Sequence, residues 1–182
     1  MKLWIFGAAL AFAAGTAVAQ QKEVTIAYQD MLDPYRVSQE AKDLEKATGY
    51  KINWKQFGGG GEVIKAMASG AVQIGEVGSA GIAAAVSRGE PFELFWILDD
   101  IGDAEALVAK NGSGINSVKD LKGKKIAMPF NSTTHFHTMV ALEQAGINPK
   151  DVEILNMRPP EVRAAWQRGD IQATWIWDPV LS

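Results

Sequence analysis

The chain has 182 residues, 47% hydrophobic and 21% charged, enough for one ordinary domain or two small ones. A net charge of −3 excludes a nucleic-acid binder working by bulk positive charge and a disordered polyelectrolyte. The absence of cysteine excludes a disulfide framework, a thiolate zinc site, a cysteine nucleophile and an iron–sulfur cluster; two histidines leave little room for a histidine-built metal site.

Residues 1–19 read as an address. Lys2 supplies a charged start, Leu3 to Ala14 form an apolar run, and Ala17-Val18-Ala19 is a small-x-small cleavage site. The run is shorter than the roughly 20 residues a membrane span needs. The expectation is export, with Gln20 as the first mature residue, a mature charge of −4 and a soluble periplasmic product.

The mature chain alternates short apolar runs with helical segments that end in glycine. Val24 to Tyr28 predicts a buried strand. Val37, Ala41, Leu44 and Ala47 stand at helical spacing before Gly49. Ile52, Trp54 and Gln56 alternate in a second strand, and Gly58 to Gly61 reads as a loop. Glu62 opens a helix carrying Val63, Ile64, Met67 and Ala68 and stopped by Gly70. Val72 to Gly75 is a short strand, Ala80 to Arg88 a small-residue helix, and Phe92 to Leu98 another strand. The order is βαβαβαβ, which predicts a parallel sheet with helices on its faces.

Asp99 to Asp103 is an acidic, turn-forming break and a candidate hinge. Beyond it come a strand at Ala106 to Ala109, a capped turn at Ser117 to Leu121 and a strand at Lys125 to Met128. Asn131 to Thr134 supplies capping residues for a helix through Phe136, Met139, Val140 and Leu142 to Gly146. Asn148-Pro149 precedes a strand at Val152 to Leu155. Pro159-Pro160 leads a helix to Gly169, and Ile171 to Trp177 is a last strand. This divides the chain into a signal at 1–19, a first α/β lobe at 20–103 and the start of a second at 104–182. Ser182 falls where a second sheet has only begun, so a C-terminally incomplete second lobe is expected.

Signatures of catalysis are weak. His135 and His137 stand two apart on a helix, about 200° around the axis, and cannot chelate together. There is no G-x-S-x-G elbow, and Gly58 to Gly61 is followed by Glu62-Val63 rather than the Lys-Ser/Thr of a phosphate loop. Gln29-Asp30-Met31 stands where a dinucleotide fingerprint would begin. Asp99 and Asp100 read as a solvated loop. No catalytic residue, metal or cofactor is expected.

Ligand binding fits better. In open parallel sheets ligands sit beyond the carboxyl ends of the strands. The residues there are Tyr28-Gln29, Gly58 to Gly61 (with Gly60 and Gly61 the candidates), Gly78-Ser79, and Asn131 followed by Ser132, Thr133, Thr134 and His135. Three of these loops open a helix, whose free N–H groups and partial positive charge suit an anion. Three hydroxyls and a histidine at one strand end point to ligand contact as well as to capping. Trp177-Asp178 also follows a strand and is a candidate lining pair.

Several segments carry a family resemblance. Ala66 to Ser79 (AMASGAVQIGEVGS) resembles a stretch of the periplasmic solute-binding proteins for taurine and related sulfonates. Val24 to Gln29, Glu105 to Val108, Ile126 to His135 (IAMPFNSTTH) and Ala164 to Ile171 (AAWQRGDI) are similar to the same family. The resemblance runs from Val24 to Pro179. It implies a type II periplasmic binding fold, with two α/β lobes that close over a ligand at a hinge. It implies capture of taurine or a related alkanesulfonate by a monomer, and delivery to the membrane permease of an ABC importer, with no catalysis. Binding loops carry over onto Tyr28-Gln29, Gly78-Ser79 and Ser132 to His135.

Three departures stand out. Gly58 to Gly61 replaces a loop richer in hydroxyls, Glu76 adds an acid where the family often has Asn, and the family's carboxylate for the taurine ammonium lies beyond Ser182. Asp178 could substitute there. The alternative readings are a binder of another small anion such as nitrate, or a relative of thiamine-pyrimidine-precursor type on the same fold.

Overall fold

The computed structural model describes residues 22–182; the expected signal segment lies outside the described residues. Two separate sheets organise the chain. In the first, β1 (Glu23–Gln29) lies between β2 (Lys51–Phe57) and the two-residue β3 (Ile74–Gly75), all parallel. Period-two alternation on β1 sends Ala27 and Gln29 to one face, where Ala27 packs with Val63 and Val72. Val63 comes from α3 (Gly60–Ala68), whose apolar stripe lies on that face. The helix runs so close to β3 that a Cβ on Gly75 would stand 2.5 Å from Val63 Cγ1. Next comes α4 (Ser79–Ser87), which buries Gly81 and Ala85.

The second sheet has the order β4-β7-β5-β6, with β4 (Glu105–Ala109), β5 (Lys125–Met128), β6 (Glu153–Asn156) and β7 (Ala173–Trp177). Two cores flank it. Leu121, Ile126, Met128, Leu142 and Val152 fill one side under α5 (Thr133–Gln144). Ala127, Val162, Ala165, Ile171, Ile176 and Trp177 fill the other under α6 (Pro159–Arg168). Local signals act as expected here. Ser117 and Asp120 form a reciprocal capping box, the Asn148 side chain caps the turn at Pro149, and Gly169 ends α6 with φ 83°.

The first sheet is parallel throughout, as its βα order predicts, whereas in the second β4 runs antiparallel to β7, with Glu105 opposite Trp177. Three sequence expectations need correction. The single helix expected at residues 37–47 is two, α1 (Tyr35–Ala41) and α2 (Asp43–Thr48), separated by Lys42 at φ 55° in the left-handed region. Neither buries a residue, and Val37 is 74% exposed. Gly60 and Gly61 form the first turn of α3 rather than loop.

Phe92 to Leu98 is not a strand, and Phe95, Trp96 and Ile97 are exposed. Its β-prone side chains satisfy the propensity but not the pairing. A strand needs a neighbour for its N–H and C=O groups, and no described strand pairs with this segment. Among the described residues no helix is long and apolar enough to cross a membrane.

Candidate functional site

The carboxyl ends of both sheets meet. Gly60 and Gly61 open α3 directly after β2, and an added Cβ on Gly61 would stand 3.3 Å from the Phe130 carbonyl oxygen. A Cβ on Gly60 would lie 3.0 Å from Val77 Cγ1 and 3.8 Å from the Gly78 nitrogen. Gly78 caps α4 and abuts Thr133, the first residue of α5, whose Cγ2 would be 3.0 Å from a Cβ there. Gly81 sits under the Asn131 carbonyl oxygen at 3.0 Å by the same measure. The glycines are therefore required by backbone approach as much as by flexibility: side chains would wedge the two units apart.

Three helix N-termini thus converge on one small region between the sheets. Helical geometry leaves the first N–H groups of α3, α4 and α5 without intrahelical acceptors. Their partial positive charges add at the point of convergence. No fixed cation is needed for such a place to attract an anion. His135 adds little charge, because burial pushes its pKa below the ordinary histidine value. Its ring stacks on Phe130 with centroids 4.5 Å apart.

The hydroxyls expected to face the ligand are turned inward. Ser132 Oγ donates to the Pro129 carbonyl at 2.5 Å, shares a 2.7 Å bond with Thr134 Oγ1 and accepts from the His135 N–H at 3.2 Å. Thr134 is fully buried. Thr133 Oγ1 donates to the Glu105 carboxylate. Burial pushes the Glu105 pKa up, while its bond to Thr133 and its contact with His137, 3.4 Å from Oε2, act the other way. The chain direction of α5 is set by these bonds, so its free N–H groups are held in place.

The remaining candidates lie around this region. Gln29 is buried on the α3 side of the first sheet and donates to the Glu76 carbonyl at 3.2 Å. Tyr28 points to the opposite face, where the Arg36 guanidinium stands 3.8 Å from its ring centre and Trp54 meets it edge-on. Structure therefore separates Tyr28 from Gln29, its neighbour in sequence. Ser79 opens α4 and is exposed. Trp177 is buried in the second unit, and its indole N–H donates to the Asp30 carbonyl at 3.1 Å, tying the loop after β1 to β7. Asp178 accepts from the Ser182 hydroxyl at 2.5 Å and donates its backbone N–H to the Ala104 carbonyl. An adjoining groove of about 190 Å³ is lined by Gly58, Lys65, Asn131, Asn156 and Arg158.

Two acidic groups were not singled out as ligand contacts by the sequence. Asp33 is only 7% exposed, and Glu76 accepts from the Tyr35 hydroxyl at 2.5 Å. Burial raises the pKa of both; the nearby Asp99 adds to this for Asp33, and Asp33 adds to it for Glu76. Glu76 carried a signal, an acid in a loop that otherwise reads as small and neutral. Asp33 carried none, since Asp-Pro before a helix reads as a turn.

Comparison with known proteins agrees with this architecture. The chain is 44% identical over 175 residues to the taurine-binding periplasmic protein of Escherichia coli K12, covering 96% of this chain and 53% of that protein. It superposes on the alkanesulfonate-binding protein SsuA of Xanthomonas axonopodis pv. citri bound to MOPS with a TM-score of 0.79, at 28% identity over 88% of this chain and 56% of that one. For the periplasmic aliphatic sulphonate binding protein SsuA of Escherichia coli the TM-score is 0.65, again at 28% identity, with 88% and 55% covered. The chain spans about half the length of the curated relatives it matches. The fold is that of the periplasmic binding proteins, here two sheet-and-helix units in one chain. The family model described as NMT1/THI5 like matches residues 40–180, most of the chain, and the chain belongs to that family.

Proposed function

We propose that this chain forms the ligand-capturing part of a periplasmic solute-binding protein that takes up taurine or a related alkanesulfonate and hands it to the membrane permease of an ABC importer. The observation that carries the reading is the convergence of the α3, α4 and α5 N-termini between the two sheets. A sulfonate is a compact anion with three acceptor oxygens and no titration near neutral pH. Several oriented N–H donors can hold it without a full counter-charge. The kinship with taurine- and sulfonate-binding proteins supports the same ligand class.

In this reading residues 20–103 and 104–182 act as the two lobes, working as a monomer. Backbone N–H groups at Gly60, Gly61, Ser79, Thr133 and Thr134 supply the donors, and Ser132 and the Thr133 and Thr134 hydroxyls fix the direction of α5. Gln29, Gly78, His135, Trp177 and Asp178 line or brace the cleft, and Tyr28 lies behind it. Export to the periplasm through residues 1–19 is part of the proposal. The proposal assigns no catalytic group.

Calorimetry with the chain against taurine, longer alkanesulfonates, nitrate, sulfate and a pyrimidine tests it. A sulfonate should bind most tightly. Preference for nitrate would assign the site to another small anion, and preference for the pyrimidine would assign it to a thiamine-precursor relative.

A further inference from the structure

The start of α5 is braced from behind by a buried acid. Glu105, the first residue of β4, has a side chain only 4% exposed. One of its oxygens accepts from the hydroxyl of Thr133, the first residue of α5. The other, Oε2, is buried without a hydrogen bond. His137 Nδ1 stands 3.4 Å from it, on a half-exposed imidazole that rests against Trp175 with ring centres 5.5 Å apart. Thr133 therefore has Gly78 of the first unit on one side and the Glu105 carboxylate on the other.

A carboxylate in this place works against the site. It opposes the partial positive charge of the α5 start, and an anion held at Thr133 meets it one side chain away. A glutamine would accept the same hydroxyl bond without the charge. What a glutamine lacks is a response to His137. An imidazole gains its proton between about pH 8 and pH 5, and then donates from both nitrogens. Burial already favours the protonated Glu105 carboxyl, so a proton taken up by either partner cancels the same negative charge.

Among the described residues, the charged group that acts on Glu105 is His137. β7 sets the uncharged Trp177 opposite it, and the flanking turns carry Asp103 and Asp178, the latter bonded to the Ser182 hydroxyl. α4, packed on α5, has no titratable side chain from Ser79 to Ser87. His135 lies on the same helix as His137 but stacks on Phe130.

We propose that Glu105 and His137 are a positioning pair for the anion site: Glu105 orients the α5 start through Thr133, and a proton taken up with His137 removes the charge that opposes the ligand, so that this chain binds its sulfonate more tightly in mild acid than in mild alkali. This rests on the reading of the helix N-termini as the anion site.

The probe is ethanesulfonate, whose charge is constant over this range. Calorimetry at pH 5.5, 6.5 and 8, in buffers of different ionisation enthalpy, reads affinity and proton uptake together, with thermal melts confirming that each variant is folded at each pH. Affinity should rise about three- to tenfold from pH 8 to pH 5.5, the effect of cancelling one nearby charge across a mixture of protein and water. Binding at pH 6.5 should take up a fraction of a proton, as reciprocity between the two ligands requires. His137→Gln should flatten most of the rise and reduce that uptake. Glu105→Gln, which keeps an acceptor for Thr133, should bind at pH 8 about as tightly as the unaltered chain does at pH 5.5. A pH-independent affinity, or a rise that survives undiminished in either variant, would overturn the positioning pair and leave the anion site standing. If ethanesulfonate does not bind at any pH, the sulfonate reading fails and the pair falls with it.

Discussion

The two halves of the molecule solve the burial problem differently. In the second, α5 and α6 cover opposite faces of the β4-β7-β5-β6 sheet, and Ile126, Met128, Leu142, Val162 and Ile176 are wholly removed from water. In the first, α3 covers one face through a small cluster of Ala27, Val63 and Val72, while α1 and α2 bury nothing. The other face of that sheet carries aromatic and charged groups, Tyr28, Tyr35, Arg36 and Trp54, with Glu76 among them. Stability is therefore concentrated in the second half, and unspent charge in the first. A binding protein needs both: a rigid frame to orient N–H groups, and polar atoms whose partner is the ligand.

The largest expected contrast is in core truncation. Leu142→Ala should cost about 2–5 kcal/mol in urea denaturation, as fully buried leucines do. Val37→Ala, on the exposed side of α1, should stay within about 0.5 kcal/mol. Equal costs would mean that α1 is packed as firmly as α5.

The next effect concerns the contact between the halves. Gly81→Ala would place a methyl 2.9 Å from Val77 Cγ1 and 3.0 Å from the Asn131 carbonyl oxygen. Overpacking of this kind costs about 1–3 kcal/mol, and here it should lower stability and sulfonate affinity together. A loss of stability with unchanged affinity would separate the site from this junction.

Ser132→Ala should reduce stability by about 1 kcal/mol through loss of the α5 cap. Because the hydroxyl is turned inward, sulfonate affinity should fall less than it does for Gly81→Ala. A hundredfold loss of affinity without loss of stability would show that the hydroxyl faces the ligand.

The smallest effect is a pH dependence confined to the first half. Burial raises the Glu76 pKa above its ordinary 4.5, so the folded chain favours the protonated acid. Its contribution is fully present below the unfolded value and is lost as pH rises through the folded one. Glu76→Gln should therefore raise the neutral-pH melting temperature of the ligand-free chain. That gain should vanish below about pH 4. A gain that persists in acid would place its origin outside Glu76 ionisation.

Much of the frame was legible in the sequence because local chemistry and tertiary demand agree. An apolar run marked β1 and alternation marked β2, the Ser117 and Asn148 caps act where they stand, and Gly146 and Gly169 close α5 and α6 with positive φ. Disagreement arose where the deciding partner is distant in sequence. The strand expected at Phe92 to Leu98 lacks a pairing neighbour among the described residues. The loops at the strand ends were readable as the candidate site, but the inward turn of Ser132 and Thr134 was not. A hydroxyl's choice between Pro129, a neighbouring side chain and a ligand depends on packing that spacing does not encode. The nearness of Asp33 to Glu76, whose like charges repel, comes from the fold and not from a motif.

Backbone N–H groups at three helix starts are proposed to hold the sulfonate. Amide chemical-shift mapping of the isotope-labelled chain during titration with ethanesulfonate reads those groups one by one. The largest saturable shifts should fall on Gly60, Gly61, Ser79 and Thr133 together. Saturable shifts confined to the groove around Lys65 and Arg158, with those four amides unmoved, would contradict it.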